Sequence, residues 1–263
     1  VTPVKNIVWI ASYPKSGNTW VRFLCCNLLF GRQETASDMN VFAPDMHEMQ
    51  QVLTQGSHAG LVKTHFAYSF ALPLVERTAA AIYVVRNPAD VLFSNFYYAE
   101  RSARGVGNGE FCRYFDEFIE NRGDPRWVQL GMGSWIDNVL SWNNPRHAFP
   151  VLVVKYEDLS TNARGVCGLL AQLLRPQSTV EEIQAAVDNS SFERMREIES
   201  IDIRDKRVGI FYKPYLQEVI DSGSRFMRKG TVGEAIQLLN QEQRTRLNSV
   251  FGPLVSSLGY SKY

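Results

Sequence analysis

Lys15-Ser16-Gly17-Asn18-Thr19 lies between two apolar runs, residues 7–12 and 20–30, and combines residue types that bind anions. The first run suits a buried strand and the second a helix, with Pro14 marking the turn between them. Backbone N–H groups of such a loop, together with the unpaired N–H groups that open the helix, converge on an anion. Lys15 adds a mobile positive charge beside them. Ser, Asn and Thr are also frequent helix caps, so the loop alone is equally compatible with an ordinary strand-to-helix turn. It is not the nucleotide-triphosphatase pattern G-x-x-x-x-G-K-[ST], because Lys15 precedes Gly17 and no second glycine opens the loop.

More chemistry-bearing side chains fall at the ends of further apolar runs. Lys63 and His65 close the run 60–65, and Arg86 closes the run 78–86. In a parallel α/β sheet the ligand sits outside the carboxyl ends of the strands, which sets these side chains around the same crevice as Lys15. Ser94 follows Asp90 by one helical turn, so it shares a face with the start of the helix after Arg86. His47, His58 and His147 read as structural or surface residues, and no cluster of Asp, Glu and His suggests a metal.

Strands at 7–12, 60–65, 78–86 and 149–156 alternate with helical patterns at 20–30, 89–100, 133–143, 157–174, 180–188, 192–198 and 241–251. That alternation predicts an α/β fold with a mainly parallel central sheet flanked by helices, as a single domain over 1–263. Residues 38–60 read as irregular surface with a short helix near 46–53. The stretch 101–133, with a helix at 110–120, reads as a mobile flap over the site, and 202–225 as a second loop at its mouth.

With 45% hydrophobic and 21% charged residues in 263, the chain can bury a sizeable core. A formal net charge of +1 argues against general nucleic-acid binding, so any cationic site must be made by placement. Cys25, Cys26, Cys112 and Cys167 show no C-x-x-C spacing and read as reduced thiols, which suits the cytoplasm. No apolar run approaches the ~20 residues that span a bilayer and no charged-then-apolar leader opens the chain, so no membrane partner is expected. No dimerisation motif indicates an oligomeric state.

The run from Tyr13 to Trp20 resembles the 5′-phosphosulfate loop of the cytosolic-type sulfotransferases, usually Tyr-Pro-Lys-Ser-Gly-Thr-Thr-Trp. Three further blocks resemble that family in the same order: Lys63-Thr64-His65, the run from Val85 to Ser94, and Phe226-Met227-Arg228-Lys229-Gly230. Gly133-Ser134-Trp135 and Tyr156-Glu157-Asp158 are weaker echoes. Together they span nearly the whole chain, in the manner of a bacterial or small natural-product member. Asn18 departs from the family's Thr, and Ala235 stands where a Trp is common.

The resemblance implies an enzyme that uses 3′-phosphoadenosine-5′-phosphosulfate (PAPS) as sulfuryl donor, without a metal, and a P-loop-like phosphosulfate-binding loop formed by Lys15, Ser16, Gly17, Asn18 and Thr19. It further implies that Arg86, Ser94, Arg228, Lys229 and Gly230, with Phe226 and Met227, hold the 3′-phosphate end, and that Trp20 and Tyr156 meet the adenine. Sulfuryl transfer is mainly positioning and charge stabilisation. His65 is then the expected general base, Lys15 the cation at the leaving oxygen and Lys63 its neighbour.

The expected acceptor is a small-molecule phenol or alcohol, bulky and partly lipophilic. It would meet Phe211, Tyr212 and Tyr215 on one side and Phe111, Tyr114, Phe115 and Phe118 of the flap on the other, aromatics that are equally compatible with core packing. Two other functions stay open on the residues alone, a P-loop small-molecule kinase and a non-catalytic nucleotide-binding module. The first predicts a G-x-x-x-x-G-K-[ST] loop and a carboxylate at a strand end, where this chain has Arg86.

Overall fold

A computed structural model describes residues 5–48, 60–102, 108–228 and 230–261. Four strands, β1 (Ile7–Ser12), β2 (Gly60–Thr64), β3 (Thr78–Val85) and β4 (Val151–Lys155), form one parallel sheet in the order β2-β1-β3-β4. β1 is central because it is apolar on both faces. Ile7, Trp9 and Ala11 enter one core and Ile10 the other, the period-2 division that a strand imposes. β3 divides in the same way, Ala81, Tyr83 and Val85 against Ile82 and Val84. Trp9 Nε1 donates to Thr78 Oγ1 at 2.8 Å, which satisfies the polar end of a wholly buried ring.

Helices cover both faces. On the side of Ile10 lie α1 (Asn18–Phe30), α2 (Ala36–Phe42), α7 (Tyr156–Leu174), α8 (Val180–Asp188) and α9 (Phe192–Arg204). On the side of Trp9 lie α3 (Pro88–Ser102), α4 (Asn108–Glu120), α6 (Trp135–Trp142) and α12 (Gln241–Ser257). Short helices α5 (Pro125–Gln129), α10 (Gln217–Asp221) and α11 (Glu234–Leu238) lie in the connections.

Several elements differ from the sequence expectation. α2 occupies part of the stretch expected to be irregular, and Thr35 and Asp38 close a reciprocal capping box at its start. Of the helix expected near 46–53, residues 49–53 lie outside the described residues. The helix of the expected flap packs down instead: α4 sends Phe115 and Phe118 into the core, while Phe111 and Tyr114 lie partly buried against it. Its hydrophobic face is therefore already satisfied by the sheet's helical layer rather than held open for a ligand.

Candidate active site

The strand order turns back on either side of β1, and the connections that leave its carboxyl end and those of its neighbours diverge there, opening a cleft. β1 runs into the loop from Tyr13 to Gly17, β2 ends beside His65, β3 ends at Arg86 and β4 at Tyr156. Lys15, Lys63, His65, Arg86 and Tyr156 all line this one cleft.

Two backbone positions shape the loop. Gly17 has φ 100°, and a Cβ there would lie 2.3 Å from Tyr156 Cδ2, so only glycine fits. Lys15 adopts φ 69°, a left-handed conformation costing a non-glycine residue on the order of 1–3 kcal/mol. Its Nζ lies 4.3 Å from the centre of the Tyr98 ring and 4.6 Å from that of Phe226, both in the cleft wall. Gly17, Asn18, Thr19 and Trp20 also line the cleft. Ser16 does not: it is wholly buried, its N–H donates to Tyr13 O, and its hydroxyl has no partner among the described residues. Its side chain is therefore not part of the cleft wall.

Asn18, the departure from Thr, turns its amide inward. Nδ2 donates to Ile10 O at 3.0 Å and to Ser12 Oγ at 3.2 Å, bracing the loop against β1. Ala235, the second departure, is buried in the core rather than exposed to the cleft.

The opposite end of the cleft is cationic. Arg86 lies over the Tyr156 ring at 4.1 Å, donates to Thr231 O at 3.0 Å and sits 3.8 Å from Asp90. Its Nε is buried without a partner among the described residues. Ser94, Phe226, Met227, Arg228 and Gly230 complete this end. Lys229 lies outside the described residues. The loop they share is held from below by Glu199, a buried carboxylate that accepts from Phe226 N at 2.6 Å and Met227 N at 3.0 Å. Gly230, at φ 70°, passes so close to Phe192 that a Cβ would approach it to 2.8 Å. Tyr156 also meets Trp20 edge-on, with ring centroids 5.8 Å apart.

At the remaining end, His65 Nδ1 lies 2.8 Å from Ser12 O. A carbonyl only accepts, so Nδ1 carries the proton and Nε2 is the basic nitrogen. Burial, with Lys63 and His47 nearby, holds the imidazole well below its usual pKa, so it is neutral at neutral pH. Lys63 Nζ donates to Asp45 Oδ2 at 2.7 Å. Burial pushes the Lys63 ammonium down to about 8 against the pull of Asp45. Burial also acts to raise the Asp45 pKa, but Lys63 together with His65 and Arg22 holds the carboxyl down at about 2. His47, read as structural or surface, takes a structural role: it accepts from the His65 backbone N–H at 2.8 Å.

The acceptor wall differs from expectation. Phe211 is wholly buried against Phe23, with ring centroids 6.3 Å apart, Tyr212 is buried with its hydroxyl on Gln217, and Tyr215 is 76% exposed. None of the three lines the cleft; Ile210, Lys213, Tyr98 and Trp127 do. Lys213 pairs with Glu48 at 2.5 Å, so this wall is part aromatic and part charged. Asp45 and Glu199 escaped sequence reasoning because each acts on a partner at least 18 positions away. Among the described residues no group of three or more His, Cys, Asp or Glu could hold a metal ion, and no helix is long and apolar enough to cross a membrane.

A parallel sheet whose strand ends carry a glycine-turned loop with Lys15, a second cationic group and an imidazole is suited to a ligand with two anionic groups. Residues 5–259 match the sulfotransferase domain, and the chain belongs to that family, whose members are PAPS-dependent enzymes. The P-loop kinase alternative falls with that assignment. Sulfotransferase 1A1 of Rattus norvegicus is 27% identical over 95% of this chain and 85% of its own length. The amine sulfotransferase of Oryctolagus cuniculus is 24% identical over 93% and 79%. Mouse sulfotransferase SULT7A1, solved with PAP, shares the fold with TM-score 0.69 and 20% identity, over 97% of this chain and 86% of that one. Retinol dehydratase, solved with retinol and PAP, does so with TM-score 0.72 and 20% identity, over 97% and 82%.

Proposed function

We propose that this chain, acting as a single domain, moves the sulfuryl group of PAPS to a hydroxyl of a small or natural-product acceptor, with His65 as general base. The observation that carries the reading is the neutral His65, its basic nitrogen fixed by Ser12, in one cleft with Lys15 and Lys63. The nucleotide fits the residues present: Arg86 Nε is an orphaned donor at one end, and the Gly17 turn leaves no room for a side chain at the other. PAPS supplies the activated sulfuryl group.

The protein's part is then to bind, orient and move one proton. Lys15, with the backbone and hydroxyl of Thr19, holds the 5′ end, and Arg86, Ser94, Arg228, Lys229 and Gly230 hold the 3′-phosphate. Trp20 and Tyr156 flank the adenine. Each charge-assisted bond contributes on the order of 1.5–3 kcal/mol. His65 Nε2 takes the acceptor's proton, Lys15 offsets charge on the departing oxygen, and Lys63, kept charged by Asp45, neutralises the reacting region. The acceptor enters past Trp127, Tyr98, Ile210 and Lys213 rather than across Phe211 and Tyr215. The retinol bound by retinol dehydratase is a small alcohol of the kind this reading expects.

Mass spectrometry of reactions with PAPS, a chelator and a panel of phenols, alcohols and amines tests the reading. A sulfated hydroxyl product is expected. Nucleotide binding without transfer to any panel member would instead make the chain a binding module.

A further inference from the structure

Asn18 reaches farther than the Thr it replaces and carries two donors on one nitrogen, and both are used on β1. Ile10 O only accepts, which fixes the amide with Nδ2 toward the strand. The second donor ends on Ser12 Oγ, and that hydroxyl lies 3.2 Å from His65 Nδ1, beside the 2.8 Å contact from the same imidazole nitrogen to Ser12 O. Ser12 and Asn18 are 0% and 5% exposed, so solvent does not compete for these bonds.

We propose that Asn18 is a positioning residue that keeps the Ser12 hydroxyl from displacing the Nδ1 proton of His65, so that the Ser12 carbonyl holds the imidazole in its Nδ1-protonated tautomer, and that Asn18 and Ser12 tie the phosphosulfate loop to the imidazole. The N–H from Asn18 occupies one lone pair of the Ser12 hydroxyl and so restricts its rotor, while the Ser12 carbonyl accepts the Nδ1 proton. Without that N–H the hydroxyl turns and donates its own proton to Nδ1. Such a bond favours the opposite tautomer, with the proton on Nε2 and no base toward the cleft. Asn18 also opens α1 and lines the cleft, so a shift of the phosphosulfate loop is felt at His65 through two hydrogen bonds. The consequence for turnover rests on the general-base reading, but the tautomer lock does not.

The test uses the full chain labelled with ¹⁵N-histidine, the His65 signals being assigned by their loss in His65→Gln. The wild type is expected to show a protonated Nδ1 and a bare Nε2. Asn18→Thr is expected to mix the tautomers, while Ser12→Ala and the double variant Asn18→Thr/Ser12→Ala, which have no hydroxyl to turn and keep the carbonyl on Nδ1, are expected to hold the wild-type pattern. In Asn18→Thr kcat falls about 10-fold, a part of the ~10²–10⁴ that a general base supplies, while calorimetric affinity for PAP stays within a few-fold. Unchanged His65 nitrogen shifts in Asn18→Thr, or mixed tautomers that persist in the double variant, would overturn the lock. So would a fall in kcat matched by an equal loss of PAP affinity, because the residues would then serve nucleotide binding. Mixed tautomers alongside full turnover in His65→Gln would uphold the lock and refute the base.

Discussion

Replacing Asp45 with Asn removes the one charge that pairs with Lys63 at 2.7 Å, in a site where the two side chains are only 13% and 9% exposed. At an effective dielectric of ~20 the gross attraction over that distance is about 6 kcal/mol. Even half of it, at 1.36 kcal/mol per pKa unit, lowers the Lys63 pKa by roughly two units. In the proposed role of Lys63 as a cation, activity is lost as pH rises through its pKa. The alkaline limb of the wild-type profile is therefore expected near the Lys63 value of about 8, and that of the variant roughly two units lower. Removing one partner of a buried pair also costs about 3–5 kcal/mol of stability. At ~2–4 °C per kcal/mol, the melting temperature should fall by roughly 10 °C. The assay is kcat/KM for PAPS across pH 5–10 with parallel thermal melts. An alkaline limb at the wild-type position, with a melting temperature within about 2 °C of wild type, would refute the claim that Asp45 maintains the charge on Lys63.

His65→Ala should cost ~10²–10⁴ in turnover while PAP affinity measured by calorimetry stays within a few-fold, since the base acts on the acceptor. In the wild type the acid limb of kcat should lie below the ordinary histidine value of 6.5, because the folded protein favours neutral His65, and activity should fade as pH drops through that lowered pKa. A limb at or above 6.5 would show that the titrating group is another one. Gly17→Ala places a methyl 2.3 Å from Tyr156 at φ 100°, and PAP affinity should weaken at least 10-fold, since strain plus overlap costs about 2–5 kcal/mol. Unaltered PAP affinity in that variant would mean that Tyr156 moves aside freely.

The first strand, the anion loop and the first helix were legible because each is local. Ile7 to Ser12 is an uninterrupted apolar run, Pro14 and Gly17 punctuate the turn, and the apolar residues after Thr19 continue for three turns. The strand-end positions of Lys63, His65 and Arg86 followed from the same periodicity. What joins them was not legible. Asp45 lies in a polar stretch with no period, and only the pairing of its neighbours Pro44 and Met46 with Lys63 brings its carboxylate to the ammonium. Glu199 reads as an exposed charge on an ordinary helix until its two backbone contacts are seen. Phe211 misled in the opposite sense: amid Gly, Lys and Tyr it resembles a loop aromatic at a mouth, yet its partner is Phe23 in the core, 188 positions earlier. The aromatics of α4 were consumed in the same way by packing on Phe251 and Phe93. Residue type alone does not separate an aromatic that lines a cleft from one that fills a core, since both remove apolar surface from water.

Calorimetric titration with PAP and with its analogue lacking the 3′-phosphate, each with chelator and with Mg²⁺, tests the two-ended anion cleft most directly. In the proposed binding mode, loss of the 3′-phosphate removes at least two charge-assisted bonds, Arg86 among them, and should weaken binding at least 10²-fold at about 1.5–3 kcal/mol per bond. Mg²⁺ should change affinity only slightly, because cationic side chains already meet both phosphates. Equal affinity for the two nucleotides, or binding that depends on Mg²⁺, would contradict the account.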